Sequence, residues 1–287
     1  MSNVIYTALE YFLVYSFLGW CTEVAFQAVA KGQVINRGFL NGPVCPIYGF
    51  GVLSVFRMLE IAGEGELHEQ NALQVFIFGV ILATSIELLG GWLLDKLFHA
   101  RWWDYSNQPF NLHGYICLEF SIIWGLGILL VVRGINPMIM YVLGLLPRRI
   151  GWMLIAIFSV IFIADVIVSV LITAGLNKRM AELDNMRGRM RIVSDDLSER
   201  IGTRALGTAQ QIDEAKEKAS RAKSEAMDQA EFLYAEYETK RAELLRRIKA
   251  SRHFGLGRLL RAFPNMKHRD HSELLEMLRR DSHESDS

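Results

Sequence analysis

Apolar positions along this chain follow two rhythms. Up to about Thr173 they come in long runs; beyond Gly175 they recur every three or four residues among charged ones. Crossing a hydrocarbon core of about 30 Å takes about 20 helical residues at about 1.5 Å each. Residues 4–28 meet that length, with Glu10 and Glu23 inside the run. Further spans are expected over residues 43–62, 71–94, 115–132 and 150–174, the last interrupted only by Asp165. The apolar stretch INPMIMYVLGLLP, between the fourth and fifth, is short of a full crossing and predicts a re-entrant or interfacial piece. The expected fold is all-α: a polytopic membrane bundle of about five spans, with a long helical tail on the cytoplasmic side.

In the tail, Leu183, Met186, Met190, Val193, Leu197 and Ile201 mark a coiled-coil-like seam. A jump of eleven residues to Ile212 keeps the face in a hendecad-like register, and Ala215, Ala219, Ala222, Ala226, Ala230, Leu233, Tyr237, Leu244 and Ile248 continue it. Alanine buries little area per layer, so a loose hairpin, a dimer and a solvated single helix all stay open. Gly202 and Gly207 predict a bend. Residues 251–271 interleave Arg252, Arg258, Arg261, Lys267 and Arg269 with Phe254, Leu256, Leu259, Leu260 and Phe263. They read either as a basic amphipathic element on an anionic leaflet or as a helix packed on its neighbour. Asp270 and Glu273 suggest a capping box that starts a short last helix, and the closing DSHESDS suggests disorder. The domains are expected at 1–175 (transmembrane), 176–250 (coiled-coil-like) and 251–287 (basic segment and disordered C-terminus).

The charge balance, 31 Lys+Arg against 31 Asp+Glu, gives no global attraction to nucleic acid. Cys21, Cys45 and Cys117 lie in or beside apolar runs and read as buried free thiols. The first 30 residues lack a basic n-region and a cleavage site, so the first span is expected to be retained. Basic loops after spans one, three and five, against the acidic connector Glu60, Glu64, Glu66 and Glu69, place the N-terminus outside a plasma membrane and the C-terminus in the cytoplasm. Arg133, Arg148 and Arg149 weigh against that orientation, and the five basic residues after span five outweigh them.

Candidate chemistry centres on NRGFLNGPVCPIYGFG, residues 36–51, too rich in glycine and proline to be helical throughout. It sets a shaped polar loop with Asn36, Arg37, Asn41 and Tyr48 at the mouth of the bundle, where irregular backbone is tolerated if buried or wet. With five spans, the loops after spans one and three face one side. That side gathers Glu23, Asn36, Arg37, Tyr48, Glu87, Asp95, Arg101, Trp103, Asp104, Tyr105, Asn111 and Glu119. Ionisable groups within spans cost at least about 2.5–3.5 kcal/mol and usually face the bundle interior or water. Glu23, Glu87 and Glu119, with Arg37 and Arg101 as partners, either form a vestibule for a cationic or zwitterionic group or a proton, or are ion pairs that fix helix register. Glu10 and Asp165 sit apart and read as structural or lumen-facing.

Trp102, Trp103 and Tyr105 suit a headgroup belt, while Asp104, Asn107 and Asn111 between Pro109 and Gly114 read as a structured loop. His99 and His113 are too isolated to be metal ligands. The chain has no G-x-x-x-x-G-K-[ST], G-x-S-x-G or H-E-x-x-H pattern, so neither a cofactor nor enzymatic catalysis is expected. If ATP drives this protein, another subunit binds it.

FLGWCTEV (17–24), NRGFLNGPVCPIYGFG (36–51), SIELLGGWLLDKLFHARWWDYS (85–106) and FNLHGYICLEFSIIWG (110–125) resemble a bacterial membrane family described as ABC-transporter type IV, permease-like, over residues 12–130. The resemblance marks Glu23, Asn36, Arg37, Gly38, Gly42, Pro43, Pro46, Tyr48, Gly49, Glu87, Trp103, Asp104, Tyr105, Asn111, Gly114 and Glu119 as family positions without giving them roles. It implies a permease-like protein in the lipid bilayer, whose added tail (178–250) recruits an ATPase subunit or a second copy. A membrane-anchored scaffold or regulator acting through that tail is the alternative. An enzyme of lipid headgroups, with a vestibule carboxylate as base, lacks a convincing nucleophile or metal set.

Overall fold

The computed structural model describes residues 2–32, 34–62, 67–205 and 212–284. Glu64 and Glu66 of the acidic connector, Gly207 of the expected bend and residues 285–287 lie outside that set. So do the seam side chains Leu197, Ile201, Ile212, Ala215, Ala219, Ala222 and Ala226. Two compact units form: Met1–Thr173 with Arg252–Asp270, and Ala174–Ser251 with His271–Ser287.

The first unit opens with α1 (Ser2–Lys31), an irregular loop, and α2 (Pro46–Ala62). A 3₁₀ turn (Leu67–Glu69) leads to α3 (Ala72–Phe98), whose N-cap Asn71 accepts the backbone N–H of Leu73 and Gln74. After β1 (Ala100–Arg101), β2 (Asn111–Leu112) pairs antiparallel with β3 (Ile116–Cys117). Then come α4 (Leu118–Leu130), a π-turn (Val131–Ile135), α5 (Asn136–Gly144) and the start of α6 (Arg148–Ala205). From the far end of the chain, α8 (Leu256–Ala262) and β4 (Lys267–His268) complete the unit, β4 pairing with β1.

Among the described residues, four helices are long and apolar enough to cross a membrane: Asn3–Val29, Ala72–Phe98, Leu118–Gly144 and Arg148–Asp195. Helix α2, at 17 residues, is shorter. The stretch expected to be re-entrant is instead continuous with the fourth span. Pro137 lacks an N–H and its ring crowds the carbonyl one turn back; widening the helix into a π-turn beside Gly134 absorbs that conflict, so the helix continues. Tyr11, Tyr15, Val52, Val55, Phe56, Leu59, Val75, Ile128 and Val132 form the core between α1, α2, α3 and α4. Within it the Tyr15 hydroxyl donates to the buried Asn136 Oδ1 at 2.9 Å. Outward residues such as Ile81, Leu89, Leu97, Ile161 and Leu171 are apolar and exposed, as a lipid-facing surface requires.

The second unit packs the remainder of α6 with α7 (Ile212–Ala250) and α9 (Ser272–Glu284). Leu176, Met180, Leu183 and Met186 of α6, Leu233, Tyr237, Leu244 and Ile248 of α7, and Leu274, Leu275 and Leu278 of α9 are its buried side chains. Their spacings, mostly three, four or seven, put them on one face of each helix. Arg179–Glu243, His271–Asp184 and Arg241–Asp281 pairs flank that core. Helix α9 stands where a last helix was expected, but the Asp270 carboxylate meets His99 Nδ1 at 2.7 Å.

Candidate functional site

Small residues let α3 and α4 approach closely. A methyl group on Gly79 would lie 2.9 Å from Ile128 Cβ and 3.2 Å from Gly125 Cα. On the same helix Glu87, Gly91 and Asp95 repeat at four-residue spacing and are all buried. Gly91 admits the rings of Trp103 and Tyr115, each 3.1 Å from where its Cβ would be. The polar stripe of α3 is thereby brought under the 99–117 loop.

Glu87, 6% exposed, accepts the Tyr105 hydroxyl at 3.1 Å and Trp124 Nε1 at 2.9 Å. Trp124 meets the Tyr48 ring edge-on, centroids 5.6 Å apart. The Tyr48 hydroxyl donates to Glu23 Oε1 at 2.7 Å, and Glu23 pairs with Arg37 at 3.4 Å. One continuous network therefore runs Arg37, Glu23, Tyr48, Trp124, Glu87, Tyr105. Tyr105 also stacks on Phe120. Burial first, then the charge of Glu87, raises the pKa of the Tyr105 hydroxyl, so it acts as a donor at any ordinary pH.

The remaining expected residues separate. Asn36 builds the loop: its Oδ1 accepts Trp20 Nε1 at 2.7 Å and its Nδ2 donates to the Asn41 carbonyl at 2.6 Å. Asn111 closes the 106–114 turn, donating to the Ser106 and Gln108 carbonyls and accepting the Gly114 N–H. Gly114 has φ +75°, and a side chain there would meet Ser106, Asp104 and Arg101. Trp103 Nε1 donates to the Tyr115 carbonyl at 2.9 Å. Asp104 accepts Ser106 N–H at 3.0 Å and pairs with Lys267 at 2.7 Å. Glu119 is exposed in the first turn of α4, apart from the network.

Several members lay outside the expected set. Trp124 reads as one more aromatic in an apolar run; only its packing opposite Glu87 gives it a role. Asp165, expected to be structural or lumen-facing and apart from the other polar residues, caps the 36–45 loop. Its Oδ1 accepts the Asn41 N–H at 3.0 Å and Asn41 Nδ2 at 3.1 Å, and its Oδ2 accepts the Gly42 N–H at 2.7 Å. Among the described residues the Asn41 and Gly42 N–H groups have no backbone acceptor, so a carboxylate from the facing helix supplies one to each. A second ionic group joins Asp95 to Arg101 at 3.4 Å and to Arg269 at 2.6 Å, with Tyr115 donating to Asp95. Arg258, from the C-terminal segment, is the other unforeseen member.

A family model described as "Putative ABC-transporter type IV" matches residues 10–170, more than half of the chain. The chain belongs to that family. The match extends beyond residues 12–130, over which the motifs resemble the family, and takes in Asp165. All the members of the Glu87 network fall inside it. Arg258, Lys267 and Arg269 fall outside the type IV match, although they touch residues within it. No solved structure matches the chain.

Proposed function

We propose that this chain is the membrane-embedded, permease-like component of a transporter, with the Glu87 network as a polar vestibule on its cytoplasmic side. The observation that carries the reading is Glu87 itself. It is a buried carboxylate on a membrane helix, held by neutral donors, with no cation within ion-pair distance among the described residues. Buried charges are costly unless paired, and the ones retained inside membranes mark ion, proton or substrate paths. Glu87 and Glu23, walled by Tyr48, Tyr105 and Trp124, suit a cationic or zwitterionic group or a proton. The protein is not an enzyme on this reading. It lies in the plasma membrane with its N-terminus outside and C-terminus inside, and any ATP is bound by a separate subunit. The basic residues Lys178, Arg179, Arg187, Arg189 and Arg191 support that orientation.

A second reading, a membrane-anchored scaffold that pairs with a partner or a second copy through residues 178–250, draws on the exposed Met227, Phe232 and Tyr234 of α7. Purification from the native cell in mild detergent, with mass spectrometry of what accompanies the protein, tests both. A nucleotide-binding subunit in near-equal amount supports the permease. Soluble partners without one, lost on Phe232→Glu and Tyr234→Glu, would favour the scaffold.

A further inference from the structure

The C-terminal segment 252–270 is part of the first unit, docked on the loops that carry the polar residues. Arg258, 3% exposed, donates to the carbonyls of Asn36 (3.2 Å), Gly38 (2.7 Å) and Phe39 (3.0 Å) and to Asn41 Oδ1 (3.3 Å). Gly255 N–H reaches the same Asn41 oxygen at 2.9 Å. Further along, Phe263 packs edge-on against Trp102, β4 pairs with β1, and Lys267 and Arg269 meet Asp104 and Asp95.

Three features weaken the hold of this docking. Among the described residues the Arg258 guanidinium is bonded only to neutral acceptors, so burial lowers its pKa, opposed by the more distant Asp165. Trp102 Nε1, buried against Phe39 and Phe263, has no acceptor among the described residues. At the other end Lys267 and Arg269 are themselves largely exposed, so water and salt compete for their ion pairs. Leu259, Leu260, Ala262 and Met266 are buried and keep the docked form favoured.

We propose that residues 252–270 are a releasable latch with Arg258 as its catch, and that release uncovers the 36–45 loop. The latch is continuous in sequence with α7 on one side and α9 on the other. The loop contains its own reporter. Cys45 is 7% exposed, and a methyl group on Gly38, whose carbonyl Arg258 holds, would lie 3.5 Å from its Sγ. Cys45 reports release whether or not anything is transported, so the latch and the transport reading fail separately.

The test uses the full-length protein in lipid nanodiscs with Cys21→Ser and Cys117→Ser, leaving Cys45 to react with a membrane-impermeant maleimide, quantified by mass spectrometry of its peptide. Arg258→Ala is expected to raise the Cys45 labelling rate about tenfold or more, with Arg258→Lys between it and the parent. A second variant needs no loss of a contact at the catch. Arg269 N–H donates to the His99 carbonyl, so Ala100 and His268 form the adjacent non-hydrogen-bonded pair, the closer geometry for a cross-strand disulfide. Ala100→Cys with His268→Cys, oxidised, is expected to slow Cys45 labelling below the parent rate. If Arg258→Ala misfolds, this locked form decides alone: slower labelling supports the latch. Labelling of the locked form at the parent rate, or of a folded Arg258→Ala within about twofold of it, overturns the proposal.

Discussion

Asp165 and Asn41 are joined twice, the carboxylate Oδ1 accepting both the backbone N–H at 3.0 Å and the side-chain amide at 3.1 Å. Asn41 passes that order on, because its Oδ1 receives Gly255 N–H and Arg258 Nε. Hydrogen bonds to a charged acceptor are worth about 1.5–3 kcal/mol each, and the donors left behind would be part-buried. Asp165→Ala is therefore expected to lower the melting temperature in detergent by several degrees, with Asp165→Asn partway because it keeps one acceptor oxygen. Melting temperatures equal to the parent's in both variants would show that the loop holds its shape without this carboxylate.

The close approach of α1 and α2 gives a sharper contrast. A methyl group on Gly49 would overlap Ser16 Oγ and lie 2.7 Å from the Phe12 carbonyl, which belongs to helix backbone and cannot move aside. A methyl group on Gly51 meets nothing within 4 Å. Gly49→Ala should destabilise by about 1–3 kcal/mol through overpacking. Gly51→Ala should be neutral or stabilising by up to about 1 kcal/mol, since it only improves helix propensity. Thermal unfolding of the two single variants side by side checks this; equal shifts would rule out the packing argument.

Apolar run length was enough to locate α1, α3, α4 and the first part of α6, because a bilayer constrains length directly. The side-by-side placement of Glu23, Arg37, Tyr48, Glu87 and Tyr105 was legible too, since antiparallel spans force alternate loops to one end. Other features needed packing. Whether Pro137 ends a helix or is absorbed by a π-turn depends on neighbours, so the continuation into α5 could not be read from its length. Asp165 looks like an isolated polar residue in sequence, and nothing near it in the chain names Asn41, 124 positions away. Arg258 sits among other basic residues with the same local pattern. Its burial against the carbonyls of Asn36, Gly38 and Phe39 and the Asn41 side chain distinguishes it from Arg252 or Arg261 in the folded chain.

Glu87 and Glu119 look equivalent as sequence but differ in setting. Glu87 is buried with two donors on its carboxylate, while Glu119 is exposed in the first turn of α4. Glu87→Ala leaves Tyr105 and Trp124 without their acceptor, at about 1–3 kcal/mol per unsatisfied group. Glu119→Ala loses only a favourable helix-dipole interaction of about 0.3–1 kcal/mol. Melting temperature should fall clearly for the first and barely move for the second, and Trp124 should report the first through a shifted emission maximum. A larger loss from Glu119→Ala would mean that its carboxylate has a role its surroundings do not reveal.

The Lys267–Asp104 pair ties the end of the C-terminal segment to the 99–117 loop, and it carries a pH signature. Burial opposes ionisation of Asp104, but hydrogen bonds from Lys267 and Ser106 outweigh it and lower the carboxyl pKa from 3.8 to about 2. A folded pKa below the unfolded one stabilises the fold above the unfolded value, and that stabilisation is lost as pH falls through the folded value. The window is therefore from about pH 4 down to about pH 2. Lys267 is largely exposed, so screening limits its share to less than about 1 kcal/mol. Lys267→Met should lower stability slightly at neutral pH and flatten the melting-temperature profile over that acid window, and added salt should shrink the difference between variant and parent. The Ser106 hydrogen bonds stay in the variant, so part of the acid dependence should remain. An unchanged profile in Lys267→Met would mean that Ser106, and not the C-terminal segment, keeps Asp104 ionised.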